Sequence, residues 1–154
     1  MGEIRGRRGS RGATLVETAL ILPALAVIVF GVVDLGRAYQ LQIRLDGAAR
    51  EGATHAQLSP NDVSCGGSDD IEGRAAEAEP DLVNEPGYAV TVLAEDAGGN
   101  LTVPVTGCGS TTVDAGERVR VEVVATFQLL TPLVGGVVGD TILLTGSNEI
   151  EVLG

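Results

Sequence analysis

An apolar run, Ala13–Val33, lies close to the start of the chain and is interrupted only by Glu17. As a helix it would reach roughly 31 Å at about 1.5 Å per residue, close to the thickness of a bilayer core. A secretory signal peptide would carry a shorter apolar region followed by small residues at a cleavage site. Here Asp34-Leu35-Gly36-Arg37 follows instead. The pattern predicts a retained membrane helix over residues 13–34, with a signal peptide and a buried core helix as the competing readings. Past the run, Ala38, Leu41, Leu45, Ala48, Ala49, Gly52, Ala53 and Ala56 recur at steps of three and four. That spacing continues the helix as an amphipathic rod over residues 35–58. Ala48/Gly52 and Ala49/Ala53 keep the stripe thin enough for another backbone to approach. Asp46 and Arg50 have the spacing of an ion pair on one helix face. Ser59-Pro60-Asn61-Asp62 ends the rod. Pro23 removes one hydrogen bond within the apolar run and should bend or loosen the helix there, unless the membrane simply tolerates it.

The periodicity then changes. Residues 61–86 are polar, acidic and turn-rich, with a short helix expected at Ile71–Glu79. Tyr88–Leu93 alternates as a strand, Ala94–Asn100 turns, and Leu101–Thr106 is a second strand. In Arg118–Phe127, Val119, Val121 and Val123 face one way and Arg118, Arg120 and Glu122 the other, the clearest strand pattern in the chain. Thr141–Leu144 and Asn148–Leu153 supply one or two more strands, with Gly146-Ser147 as the break. Val123–Gly139 lacks charge, but Pro132, Gly135, Gly136 and Gly139 argue against a second span. Thr131 is expected to cap a short helix starting at Pro132, with Leu133, Val134, Val137 and Val138 packed on the sheet or offered to a neighbour. The expected fold is α+β: one long N-terminal helix, membrane-spanning in its first half, packed on a small, mostly antiparallel sheet. The chain divides into a basic leader (1–12), the span (13–34), its amphipathic continuation (35–58) and an acidic head (59–154).

Charge sets the orientation. There are 10 basic residues, all Arg, against 21 acidic ones. Arg5, Arg7, Arg8 and Arg11 stand just before the apolar run. The positive-inside rule therefore puts the leader in the cytoplasm and the head outside, in a single pass of the cytoplasmic membrane. A chain this acidic, with four aromatics, is a poor partner for nucleic acid. One His and two Cys exclude a Cys/His zinc ribbon and leave no spare His for a Ser-His-Asp triad. No phosphate loop, nucleophile elbow or redox C-x-x-C is present, so no enzyme, cofactor or metal is expected. His55 reads as an ordinary residue near the helix end. Asp69, Asp70 and Glu72 lack the spacing of a calcium loop and read as a solvated acidic face. Cys65 and Cys108 both fall on the outer side, where disulfides persist. A bridge between them would be worth on the order of 4 kcal/mol by loop entropy; two free thiols are the alternative.

Glu17 is the residue with the sharpest functional implication, because ionisable groups at membrane depth are costly and rarely incidental. A cut after Gly12 would give Ala13 a free ammonium one helical turn from that carboxylate. The alternative is an interfacial charge at the helix mouth. The segment Arg11-Gly12-Ala13-Thr14-Leu15-Val16-Glu17-Thr18-Ala19-Leu20-Ile21-Leu22-Pro23 resembles the start of TadE-like pseudopilins of the tight-adherence (Flp) pilus. Gly31-Val32-Val33-Asp34-Leu35-Gly36-Arg37 and Ala48-Ala49-Arg50-Glu51-Gly52-Ala53 fit the same family, and Val119–Val123 with Leu130–Gly136 fit it more loosely. The resemblance implies processing by a prepilin peptidase after Gly12, with Ala13 as the mature N-terminus and Glu17 as the assembly carboxylate. Ala13 stands where related pilins often carry Phe. The implied role is a structural minor pilin or pseudopilin. Its partners would be other pilins, platform proteins and the bilayer, and after assembly it would sit in the extracellular pilus. A monomeric membrane-anchored binding protein is the alternative from another class.

Overall fold

The computed structural model describes residues 9–109, 113–131 and 139–153. Helix α1 (Gly9–Ala56) is followed by α2 (Ile71–Ala78), a 3₁₀ turn (Pro80–Asn84) and the strands β1 (Ala89–Glu95), β2 (Leu101–Val105), β3 (Arg118–Gln128) and β4 (Thr141–Glu151). The four strands form one sheet in the order β2-β1-β3-β4. Every neighbouring pair is antiparallel. The fold is α+β, a long helix on a small antiparallel sheet, as the periodicities predict. The expected cap at Thr131 of a helix from Pro132 falls on residues outside the described ones.

The second half of α1 covers one face of the sheet because its small residues all lie on one side. Leu45, Ala48, Ala49, Ala53 and Ala56 are completely buried, in one core with Val119, Val121, Val123 and Ala125 of β3, Val92 of β1 and Ile71 of α2. At Gly52 a Cβ would already stand 3.2 Å from the Val121 side chain. The helix runs along β4 in the same direction. Near one end, Gln42 Nε2 donates to the Thr145 carbonyl at 2.9 Å. Near the other, the Leu153 amide donates to the Gln57 carbonyl at 3.0 Å.

This close approach corrects the expected break in β4. Gly146-Ser147 does not divide it: β4 pairs with β3 without interruption from Thr141 to Glu151, with Gly146 opposite Val123. Gly146 is present because a Cβ there would land on the backbone of Leu45 and Asp46. A glycine inside a strand signals either a break or a close backbone approach, and here it is the second. Two smaller expectations also change. Asp46 accepts from Gln42 Nε2 at 3.1 Å in place of the expected pair with Arg50. Pro23 lies inside α1, whose helix continues through it.

Among the described residues, the apolar first half of α1 is not buried by the head. From Leu20 to Val33, nine large apolar side chains are between 48% and 73% exposed. Removing them from water is worth on the order of 10–20 kcal/mol, as much as the ~5–15 kcal/mol net stability of an ordinary domain. Their proper surroundings are lipid or other helices, and α1 is long and apolar enough to cross a membrane. Val123–Gln128, by contrast, is β3 with Val123, Ala125 and Phe127 buried, so the second uncharged stretch begins as a core strand.

The glycines of this packing make opposite predictions. Gly146→Ala should cost about 3 kcal/mol, because the only relief is to lift α1 from β4. Gly47, which has open space where its Cβ would be, should tolerate Ala with a gain of up to about 1 kcal/mol from helix propensity. Chemical unfolding of the two variants in detergent checks both; equal effects would mean that the helix does not rest on Gly146.

Candidate functional site

The residues singled out in the sequence fall at two ends of the molecule. Gly12, Ala13 and Glu17 lie near the start of α1, all exposed. Ala13 and Glu17 are four residues apart and share a helix face. Beside them the Thr18 hydroxyl donates back to the Thr14 carbonyl at 2.9 Å, so it makes no demand on the surroundings. Glu17 thus projects from an apolar surface. Cys65 and Cys108 are at the far end of the head and are disulfide-bonded, with Cα atoms 5.0 Å apart. The bridge ties the loop after α1 to the chain after β2, where Asp62 and Cys108 also form a β-bridge.

The structure adds a residue whose role the sequence did not reveal. Asp34, immediately after the apolar run, is buried. Its carboxylate accepts from the Thr131 hydroxyl at 2.6 Å, the Thr131 amide at 3.0 Å and the Leu130 amide at 3.1 Å. Arg37 Nη1 stands 3.5 Å from the same carboxylate, and its guanidinium lies over the Phe127 ring, 5.2 Å from the centroid. The end of β3 is thereby fastened to α1 just past its apolar half. The Thr131 hydroxyl thus acts as a donor to Asp34. The only available signal was an acid directly abutting a membrane-like run.

Asp70 corrects a second reading. Far from lying on a solvated face, it is buried and organises the disulfide loop. It caps α2 by accepting from the Gly73 amide at 2.6 Å, and its other oxygen accepts from the amides of Cys65 at 2.6 Å and Gly66 at 3.0 Å. Burial pushes this carboxyl up. The amides of Gly73, Cys65, Gly67 and Gly66 outweigh that effect and hold it below the ordinary range. Asp69, by contrast, is exposed and 3.7 Å from Arg74. His55, expected to be ordinary, has a buried Nε2 with no hydrogen-bond partner among the described residues. The Glu95–Asn100 turn forms as expected, with Asp96 Oδ1 accepting from the Gly98 and Asn100 amides at 2.8 and 2.9 Å.

The head's own cations are occupied. Arg118 bridges Glu95 at 3.1 Å and Glu149 at 2.8 Å, and Arg120 reaches Glu149 at 3.2 Å. Hydrogen bonds from Arg118 hold the Glu95 carboxyl below its ordinary range. Arg74 pairs with Asp69 and Glu77. These exposed pairs contribute little stability each. Their effect is to leave the outer surface of the head acidic.

Residues 12–54 match the family model described as TadE-like protein. The match begins at Gly12 and ends within the last turn of α1, so it covers the helix and none of the head. No curated protein and no solved structure matches the chain.

Removing the Asp34 carboxylate strands two amides and a hydroxyl. Asp34→Ala should lower the thermal midpoint and speed exchange of the Leu130 and Thr131 amides at least about tenfold. Unchanged exchange at both would show that the contact does not hold the loop. Asp70 makes a pH-dependent prediction. Its folded pKa lies below the unfolded value of about 3.9, so its contribution is complete above that value and is lost as the pH falls through the folded one. Asp70→Asn should cost about 1–2 kcal/mol near neutrality. Melting curves from pH 5 down to about pH 2 should then show a smaller loss in the variant than in the wild type; parallel losses would contradict this role.

Proposed function

We propose that this chain, TadE-like over residues 12–54, is a structural minor pilin or pseudopilin. It takes part in assembling a Tad/Flp pilus and performs no catalysis. The exposed apolar helix and the family match fit a membrane-anchored protein associated with such pili. In the finer reading, α1 crosses the cytoplasmic membrane once, with the Arg-rich leader inside and the head outside. A prepilin peptidase cuts between Gly12 and Ala13. The new Ala13 ammonium of one subunit then meets the Glu17 carboxylate of a neighbour, which compensates a charge that apolar surroundings penalise and sets the axial register of two helices. The observation that carries this reading is the coincidence of the family match, which starts at Gly12, with the Ala13–Glu17 pair on one exposed helix face.

Two measurements test it together. N-terminal sequencing of membrane-purified protein should read from Ala13, leaving 142 of the 154 residues once the first 12 are removed. A sequence reading from Met1 or Gly2 removes the processing claim. Glu17→Ala should insert in the membrane and keep the Cys65–Cys108 bridge while its recovery in pili or in crosslinked complexes with other pilins falls severalfold, with Glu17→Asp in between. Wild-type assembly of Glu17→Ala in a strain lacking the native copy would reduce Glu17 to an interfacial charge.

A further inference from the structure

A cleft of about 250 Å³ opens beside α1, just past the apolar half of the helix. Arg37, Gln40 and Arg44 line it from α1, Glu85 from the segment leading into β1, and Phe127 and Gln128 from the end of β3. Steps of three and four put the three α1 side chains on one helix face. The wall opposite the helix is tied to β3, where the Thr126 amide donates to the Pro86 carbonyl at 2.7 Å.

Both guanidiniums in this cleft are loosely held. Arg44 Nη1 lies 3.9 Å from Asp81, beyond hydrogen-bond length, and that carboxylate is largely in solvent. Arg37 Nη1 reaches Asp34 only at 3.5 Å, and Asp34 already accepts from Thr131 and two backbone amides. Arg118 is the contrast: its bonds to Glu95 and Glu149 are 3.1 and 2.8 Å. Two guanidiniums with donors to spare, facing one cleft, suit a phosphoryl oxyanion. The carboxamides of Gln40 and Gln128 add neutral donors and acceptors. Glu85 disfavours the second charge of a free phosphate monoester, whereas a phosphodiester carries only one.

The place of the cleft along the helix selects the source of that phosphodiester. Arg37 is four residues past Val33 and Arg44 eleven, a rise of about 6 and 16 Å. Helical side chains lean toward the helix N-terminus, and the Arg37 guanidinium does so, since it stands beside Asp34 one turn earlier. The headgroup layer beyond the hydrocarbon is roughly 5–7 Å deep on each side. Arg37 stands within that layer, and the cleft rises out of it toward Arg44. We propose that this cleft holds the head of an anionic glycerophospholipid, its phosphate on the two guanidiniums. The proposal rests on the membrane-anchored reading of α1. It gives a head whose acidic surface an anionic leaflet would repel one place where such a lipid is attracted.

Native mass spectrometry of the detergent-solubilised full chain, titrated with phosphatidylglycerol or phosphatidylcholine, tests this. The wild type should retain phosphatidylglycerol at least about tenfold more tightly, the weight of one charge-assisted hydrogen bond. Arg44→Gln should remove most of that preference and Arg44→Lys only part of it. Arg74→Gln, which removes a cation on α2 outside the cleft, should leave it whole. Equal retention of the two lipids, or a preference that survives Arg44→Gln, overturns the site. An equal loss in Arg74→Gln also overturns it, because the attraction would then be general. Displacement of the lipid by glycerol 3-phosphate at similar concentration would make the ligand a soluble phosphate and overturn the lipid. Flotation of the full chain with phosphatidylcholine vesicles separates the two readings. A chain that floats without the preference loses only this cleft; one that does not float ends the anchored reading and this proposal with it.

Discussion

The backbone of α1 lies directly on the backbone of β4, with no side chain between them at Gly146. Most of the head follows from that contact. A helix can lie this low only if its facing residues are small, and Ala48, Ala49, Gly52, Ala53 and Ala56 meet the requirement. The residues opposite must then supply the bulk, which Val119, Val121 and Val123 do from one face of β3. The head has few large aromatic side chains to build a core around. Its burial comes instead from an extended seam of alanine on valine, close-packed by proximity. Such a seam has little tolerance for added volume.

Because the seam uses the second half of the same helix whose first half is exposed and apolar, the membrane segment and the head are joined by helix and not by a linker. Asp34 strengthens the joint. It stands where the apolar surface stops and draws in the end of β3 through three hydrogen bonds. The Cys65–Cys108 bridge and the Asp70 cap act at the opposite end, where loops replace regular structure. A force applied at the proposed Glu17 contact would thus be transmitted along one rod into the sheet. A flexible tether would dissipate it.

Much of this is legible in the residues, for identifiable reasons. The apolar run, the three-and-four stripe from Ala38 to Ala56 and the alternation through Val119–Val123 are strong because each element has one dominant environment. The Cys65–Cys108 pair is legible because only two cysteines exist. What escapes is everything that depends on partners distant in sequence. Asp34 and Thr131 are 97 residues apart, and neither carries a local mark of the other. Gly146 looks like a strand break until Leu45 is known to lie on it. Asp70 looks solvated beside Asp69, yet its amide partners are supplied by the turn Cys65–Gly67, whose shape depends on the bridge. Glu17 is the reverse case: its environment is legible from the apolar run, while the partner it is proposed to meet belongs to another subunit.

The central claim is that the span and the head form one continuous helical body. Hydrogen exchange of the full chain in a lipid bilayer tests it most directly, read residue by residue across the exit from the membrane. The account predicts slow exchange without interruption from Val29 through Asp34 and Ala38 to Leu45, because α1 is unbroken there and Asp34 is tied to β3. Fast exchange confined to residues 34–38, with protected amides on both sides, would reveal a hinge at the bilayer surface and contradict it.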